Sequence, residues 1–228
     1  MKRSIYIGLF LSVIIILFSS CLDSDDSRAQ YVGICTVHQL GESDHYFTLD
    51  DGVSLYPQNQ GDLLSFELKD RERVILNFDY VDSKVDGYDH SIKVAYIEKI
   101  LTKDIITITP EMEDSIGNDQ INITSYRLTK EYLTLEYQYF GQKYSGVAHM
   151  LNLVVPQQGL DGEQSEFVEV EFRHNAHGDI SIDKFEGIVS FKVDNIIDEL
   201  LDKKVVRIKT NTLFEGEKYI EVPLVNKD

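Results

Sequence analysis

Leu133-Thr134-Leu135-Glu136-Tyr137-Gln138-Tyr139 alternates apolar and polar residues without a break. Successive side chains on a strand point to opposite faces, so Leu133, Leu135, Tyr137 and Tyr139 share one face while Thr134, Glu136 and Gln138 share the other. The stretch predicts a strand with one buried face. The same period of two dominates from Tyr31 onward, which makes the fold class all-β.

Around that stretch the pattern predicts strands over residues 121–128, 133–140, 147–155, 167–174, 180–193, 205–210 and 219–225. Seven short antiparallel strands separated by turn residues read as an antiparallel β-sandwich of the immunoglobulin-like kind. Pro223 cannot donate to a ladder, so the last strand is expected at a sheet edge. Residues 194–201 are the one good helix candidate, with Asp194 as N-cap.

Upstream, strands are predicted at 31–39, 46–49, 53–55, 73–81 and 92–100, with Asp50-Asp51-Gly52 as a hairpin turn. Five short strands in about 70 residues suit a small closed barrel. Leu63-Leu64-Ser65-Phe66-Glu67-Leu68 fits a short helix nearly as well as a strand. A polar stretch at 111–119 separates the clusters, and the boundary is placed near Lys103. The domains are then a barrel at 31–102 and a sandwich at 103–228.

The N-terminus reads as an address. Lys2-Arg3 precedes an uncharged, mostly apolar run, and Leu17-Phe18-Ser19-Ser20-Cys21 resembles a bacterial lipobox. On that resemblance residues 1–20 are a lipoprotein signal peptide, and Cys21 becomes the acylated first residue of the mature protein. Several acyl chains are needed for stable anchoring, as one binds membranes only marginally. Residues 21–30 form an acidic tether, in which Leu22-Asp23-Ser24-Asp25-Asp26-Ser27 resembles the surface-export signals of Bacteroidetes lipoproteins. The expected location is the outer membrane, lipid-anchored and facing the cell surface. Cys35, left without an intramolecular partner, is expected to be a small buried apolar side chain.

Charge narrows the partners. Thirty-nine Asp and Glu against 22 Lys and Arg give a net charge of −17. Such a surface repels nucleic acid and anionic lipid. The sequence holds no G-x-S-x-G, Walker loop, H-E-x-x-H or C-x-x-C. No enzyme activity and no cofactor are expected.

His174-Asn175-Ala176-His177-Gly178-Asp179 is the densest set of chemically active residues. His174, His177 and Asp179 are the candidate ligands for a zinc ion with one open position. Against this, His174 continues the face of Val168, Val170 and Phe172, which places it at the end of a core strand, and the residues after it are turn formers. No metal is the expectation. Asp79, Asp82, Asp86 and Asp89 surround Gly87 without the spacing of a calcium loop. With 13 Tyr, 11 Phe and no Trp, the aromatics read mainly as core, and a glycan platform is the lesser alternative to a protein partner.

Four stretches in order, Tyr46-Phe47-Thr48-Leu49-Asp50-Asp51-Gly52, Ile100-Leu101-Thr102-Lys103-Asp104-Ile105, Ser115-Ile116-Gly117-Asn118-Asp119 and Arg173-His174-Asn175-Ala176-His177-Gly178-Asp179, resemble the NigD-like lipoproteins of Bacteroidetes. The resemblance implies an N-terminal OB-type barrel followed by a β-sandwich, and it brings no catalytic residues. The family name comes from a gene neighbourhood associated with a bacteriocin, which suggests an immunity or accessory role. Asp114-Ser115-Ile116 also resembles the O-glycosylation sequon of exported Bacteroidetes proteins, making Ser115 the candidate acceptor.

Overall fold

The computed structural model describes residues 29–156, 166–196, 200 and 203–224. The signal peptide, Cys21 and the tether as far as residue 28 lie outside the described residues, as do positions 197–199 and 201 of the expected helix and residue 225. Asp194–Ile196, at the start of that helix, form a turn of 3-10 helix.

Strands β1 (Tyr31–Gln39), β2 (His45–Leu49), β3 (Ser54–Pro57), β4 (Arg73–Tyr80) and β5 (His90–Asp104) form the first body. They follow the order β3-β2-β1-β4-β5, and pairing of β3 with β5 closes the barrel. Gly52 takes φ +92° in the β2–β3 turn, where its missing Cβ allows a left-handed backbone. The ambiguous segment resolves as a helical cap: α1 (Gln60–Leu63) runs into a 3-10 turn at Leu64–Phe66. Leu63 and Leu68 are buried among Val37, Phe47, Leu55 and Leu76 in the barrel core. Just before α1, the Asn59 side chain donates to the Val94 carbonyl and accepts its N–H, at 2.8 and 2.9 Å. That amide satisfies the edge of β5 beyond its short pairing with β3.

The second body comprises β6 (Ile106–Ile108), β7 (Asn122–Leu128), β8 (Tyr132–Gly141), β9 (Met150–Pro156), β10 (Phe167–Asn175), β11 (Asp183–Lys192), β12 (Val205–Thr212) and β13 (Gly216–Pro223). One sheet continues from β5 through β11 and β8 to β7; the other has the order β13-β12-β10-β9-β6. Leu133, Leu135, Phe172, Phe191 and Ile208 fill the space between them. Each such side chain contributes roughly 1.5–3 kcal/mol by leaving water. Pro223 ends β13 on an edge strand, as its missing N–H requires.

Three pairings depart from the antiparallel expectation: β10 with β12, β6 with β9 and β5 with β11 run parallel. The first follows from connectivity. Between β10 and β12 the chain visits the opposite sheet as β11, and it returns beside β10 in the same direction.

Two further readings are corrected. Strand β5 does not stop at Ile100: Arg73–Tyr80 of β4 pairs with its first part, and Leu101–Asp104 pair with Val189–Lys192 of β11. The polar stretch at 111–119 does not separate the two clusters either, since β6 precedes it and pairs with β9 of the sandwich. It contains α2 (Glu113–Ile116), whose Ile116 packs with Met112, Ile108 and Val154. The Arg173 Nε–H donates to the Gly117 carbonyl at 2.8 Å, holding α2 against β10. Cys35 is fully buried, and burial pushes its thiol up to about 12.

Gly187 sits opposite Tyr137 in the β11–β8 ladder. A Cβ there would lie 2.5 Å from the Tyr137 Oη and 2.6 Å from Cζ, because the phenol ring lies across the glycine. Gly187→Ala should therefore destabilise the chain by about 1–3 kcal/mol in denaturant titration. The double variant with Tyr137→Leu should recover most of that loss.

Candidate functional site

Two polar groupings break the apolar pattern. The first lies at the end of the sandwich where β8, β10 and β12 finish and β9, β11 and β13 begin. His174 extends the core face of β10 one step beyond Phe172, and His149 extends the face of Leu151 and Leu153 just ahead of β9. Antiparallel pairing of His174 with Leu151 brings the two imidazoles together. His149 Nδ1 and His174 Nε2 are 2.8 Å apart, and the rings stack at 5.0 Å between centroids.

The chain of hydrogen bonds continues at both ends. His174 Nδ1–H donates to the Gln120 carbonyl at 3.1 Å, so its Nε2 accepts, and His149 Nδ1 must donate. His149 Nε2 lies 3.0 Å from Asp179 Oδ2. The backbone N–H of Gln142 donates to the same oxygen at 2.8 Å. The Gln142 N–H and the His149 imidazole keep the Asp179 carboxyl below the ordinary carboxylate range, and burial pushes His174 below the ordinary histidine value. Tyr139 closes the cluster with its ring 4.6 Å from His149 and 5.2 Å from His174.

Of the three proposed metal ligands, His174 and Asp179 are brought together, but through His149 and not around an ion site. His177 is exposed, with Nδ1 2.8 Å from the Ala148 carbonyl. Among the described residues no group of three or more His, Cys, Asp or Glu side chains is arranged to hold a metal ion. The acidic hairpin is likewise used internally: Asp79 accepts the Gln30 N–H and Asp89 accepts from Ser54. Ser115 is exposed on α2, its hydroxyl donating to the Met112 carbonyl at 2.8 Å.

The second grouping lies where the barrel meets the sandwich. Arg73 is 1% exposed, its guanidinium bonded to Thr36 Oγ1 at 2.9 Å and Asp50 Oδ1 at 2.5 Å. It also lies 4.8 Å above the ring of Tyr132, whose hydroxyl donates to the Arg71 carbonyl. Asp50 thus serves both the hairpin turn and the buried cation. A cleft of about 960 Å³ opens here, bounded by Leu49 and Arg73 on the barrel and by Leu128, Tyr132 and Leu224 on the sandwich.

Two family models match the chain: the NigD-like N-terminal OB domain over residues 34–100 and the NigD-like C-terminal beta sandwich domain over residues 104–224. The chain belongs to the NigD-like family. Solved structures share its architecture. A Parabacteroides distasonis protein provisionally described as toxin-related is 25% identical, with a TM-score of 0.71 over 85% of this chain and 92% of its own. A Bacteroides fragilis protein provisionally described as a lipoprotein is 12% identical, with a TM-score of 0.66 over 87% and 99%. A NigD-like immunity protein from Bacteroides caccae is 17% identical, with a TM-score of 0.60 over 84% and 91%. No curated protein matches.

In this NigD-like chain the histidine cluster acts as a clasp. Asp179 ties the loop after β8, through Gln142, to the loop after β10, and His149 ties both to the core. Sequence reading found His174 and Asp179 but missed His149 and Tyr139. The available signal was parity: His149 continues the Leu151, Leu153 face as His174 continues that of Phe172.

The clasp has a pH signature. Below about pH 6.5 an unfolded His174 binds a proton that the buried imidazole resists, so the unfolded state gains protons and stability falls with pH. Asp179 adds a further loss only as pH falls through its own depressed value, below the ordinary 3.8. His174→Phe keeps the volume but leaves the His149 N–H unpaired, and should cost about 1–3 kcal/mol at neutral pH. Urea titrations should show a shallower decline below pH 6.5 for this variant than for the native chain, and little effect of His177→Ala.

Proposed function

We propose that this NigD-like chain is a lipid-anchored, non-enzymatic binding module of the outer membrane, exposed at the cell surface and engaging a protein partner. The observation that carries the reading is the clasp: its imidazole nitrogens and its carboxylate are spent on holding two loops in place. A site built for metal or acyl-transfer chemistry would keep such groups open towards a substrate. No helix among the described residues is long and apolar enough to cross a membrane, and anchoring is assigned to acylated Cys21. Ser115, exposed on α2, is the assigned O-glycan acceptor.

An immunity or accessory role against a bacteriocin is the second reading, favoured by the immunity protein and the toxin-related protein among the structural relatives. Deleting the gene should then raise sensitivity to bacteriocins of related strains. Cys21→Ala should leave the chain unprocessed or release it from the membrane fraction. A Cys21→Ala chain that stays membrane-bound at the processed size would contradict the anchor.

A further inference from the structure

The loops at this end of the sandwich carry large apolar side chains that face solvent. Tyr144 is 93% exposed and Phe214 80%, with Ile182 at 63% and Ile180 at 59%. Tyr144 also adopts φ +65°, a left-handed conformation in which an aromatic side chain is unfavourable and glycine or asparagine would cost less. A bulky residue held in a strained, solvent-facing position with no core to fill points to a use outside the fold.

These residues converge on one end of the sandwich. The Ile182 N–H donates to the Gly141 carbonyl at 3.1 Å, and the Lys143 N–H to Asp183 at 2.9 Å, so the loops after β8 and β10 lie side by side. Phe214, at the tip of the β12–β13 turn, meets Phe140 with 6.4 Å between ring centroids. Asp179, His149 and His174 fix the backbone of the loops after β8 and β10. An apolar, aromatic centre on a preorganised base has the composition of a protein interface core.

Charge selects the occupant. The chain carries −17, which opposes docking on an anionic bilayer or on a second copy; at the crown itself Lys143 lies over the Tyr144 ring, and Asp183, Glu215 and Glu217 supply the acidic groups that a positively charged partner would meet. We propose that the loop crown around Tyr144, Ile180, Ile182 and Phe214 is the docking surface for a cationic polypeptide with exposed apolar side chains. The crown rests on the reading of the chain as a binding module and gives that module its contact surface and the chemistry of its partner.

The test uses the purified Cys21→Ala chain and three fluorescent peptides of equal length, alternating Lys/Phe, Glu/Phe and Lys/Ser, followed by anisotropy. The Lys/Phe peptide should bind at least tenfold more tightly than either of the others. Tyr144→Ser/Ile182→Ser/Phe214→Ser should weaken it at least tenfold with no fall in Tm, whereas Tyr96→Ser/Tyr126→Ser, removing exposed tyrosines elsewhere, should not. Equal binding of Glu/Phe, or undiminished binding by the triple variant, overturns the proposal; in the latter case the binding-module reading survives and the crown assignment falls. Crown-dependent dimerisation in sedimentation, or crown-dependent capture of vesicles containing phosphatidylglycerol, would equally overturn the choice of partner.

Discussion

The structure depends on the backbone hydrogen bonds of one strand. β5 donates its first part to the barrel and its last four residues to the sandwich, so the two bodies share a ladder instead of a linker. A peptide chain between separate domains leaves them free to rotate; a shared strand does not, because reorientation would break buried ladder bonds. Arg73 reinforces the junction. Its charge is buried against Asp50, and its guanidinium lies on Tyr132 from the other body. Removing either partner would leave an uncompensated group out of water, which is expensive.

The same economy of polar groups explains the far end of the sandwich. Loops there would be free to move if their only ties were exposed backbone bonds. The His149, His174 and Asp179 chain instead places strong, partly charged hydrogen bonds beneath them, shielded by Tyr139. Gly141 is part of this device, since a Cβ there would sit 3.0 Å from the Asp179 carboxylate and 3.2 Å from the His149 ring. The cluster that most resembles chemistry in the sequence ties two loops to the core, and the apolar side chains beside it face solvent.

What could be read from the sequence was local. Period-two alternation located β1 and most of β8, and turn residues placed the β2–β3 hairpin, because both depend on neighbours within a few residues. Three features were not legible for a shared reason: the parallel β10–β12 pairing, the extension of β5 into β11 and the meeting of His149 with His174 are all set by register between distant segments. β6, with three residues, is too short for any period to declare itself. For the site, parity correctly put His174 at the end of a core face. Which side chain it would meet there required the fold.

The measurement that tests this account most directly is the distance distribution between spin labels at Lys93 on the barrel and Ser181 in the sandwich loops, both exposed, with Cys21 and Cys35 both replaced by alanine. A ladder that runs through β5, together with loops clasped to the core, predicts a single narrow distribution. A broad or two-peaked distribution would mean that the bodies or the loops move independently, and would contradict the rigid presentation of the binding surface.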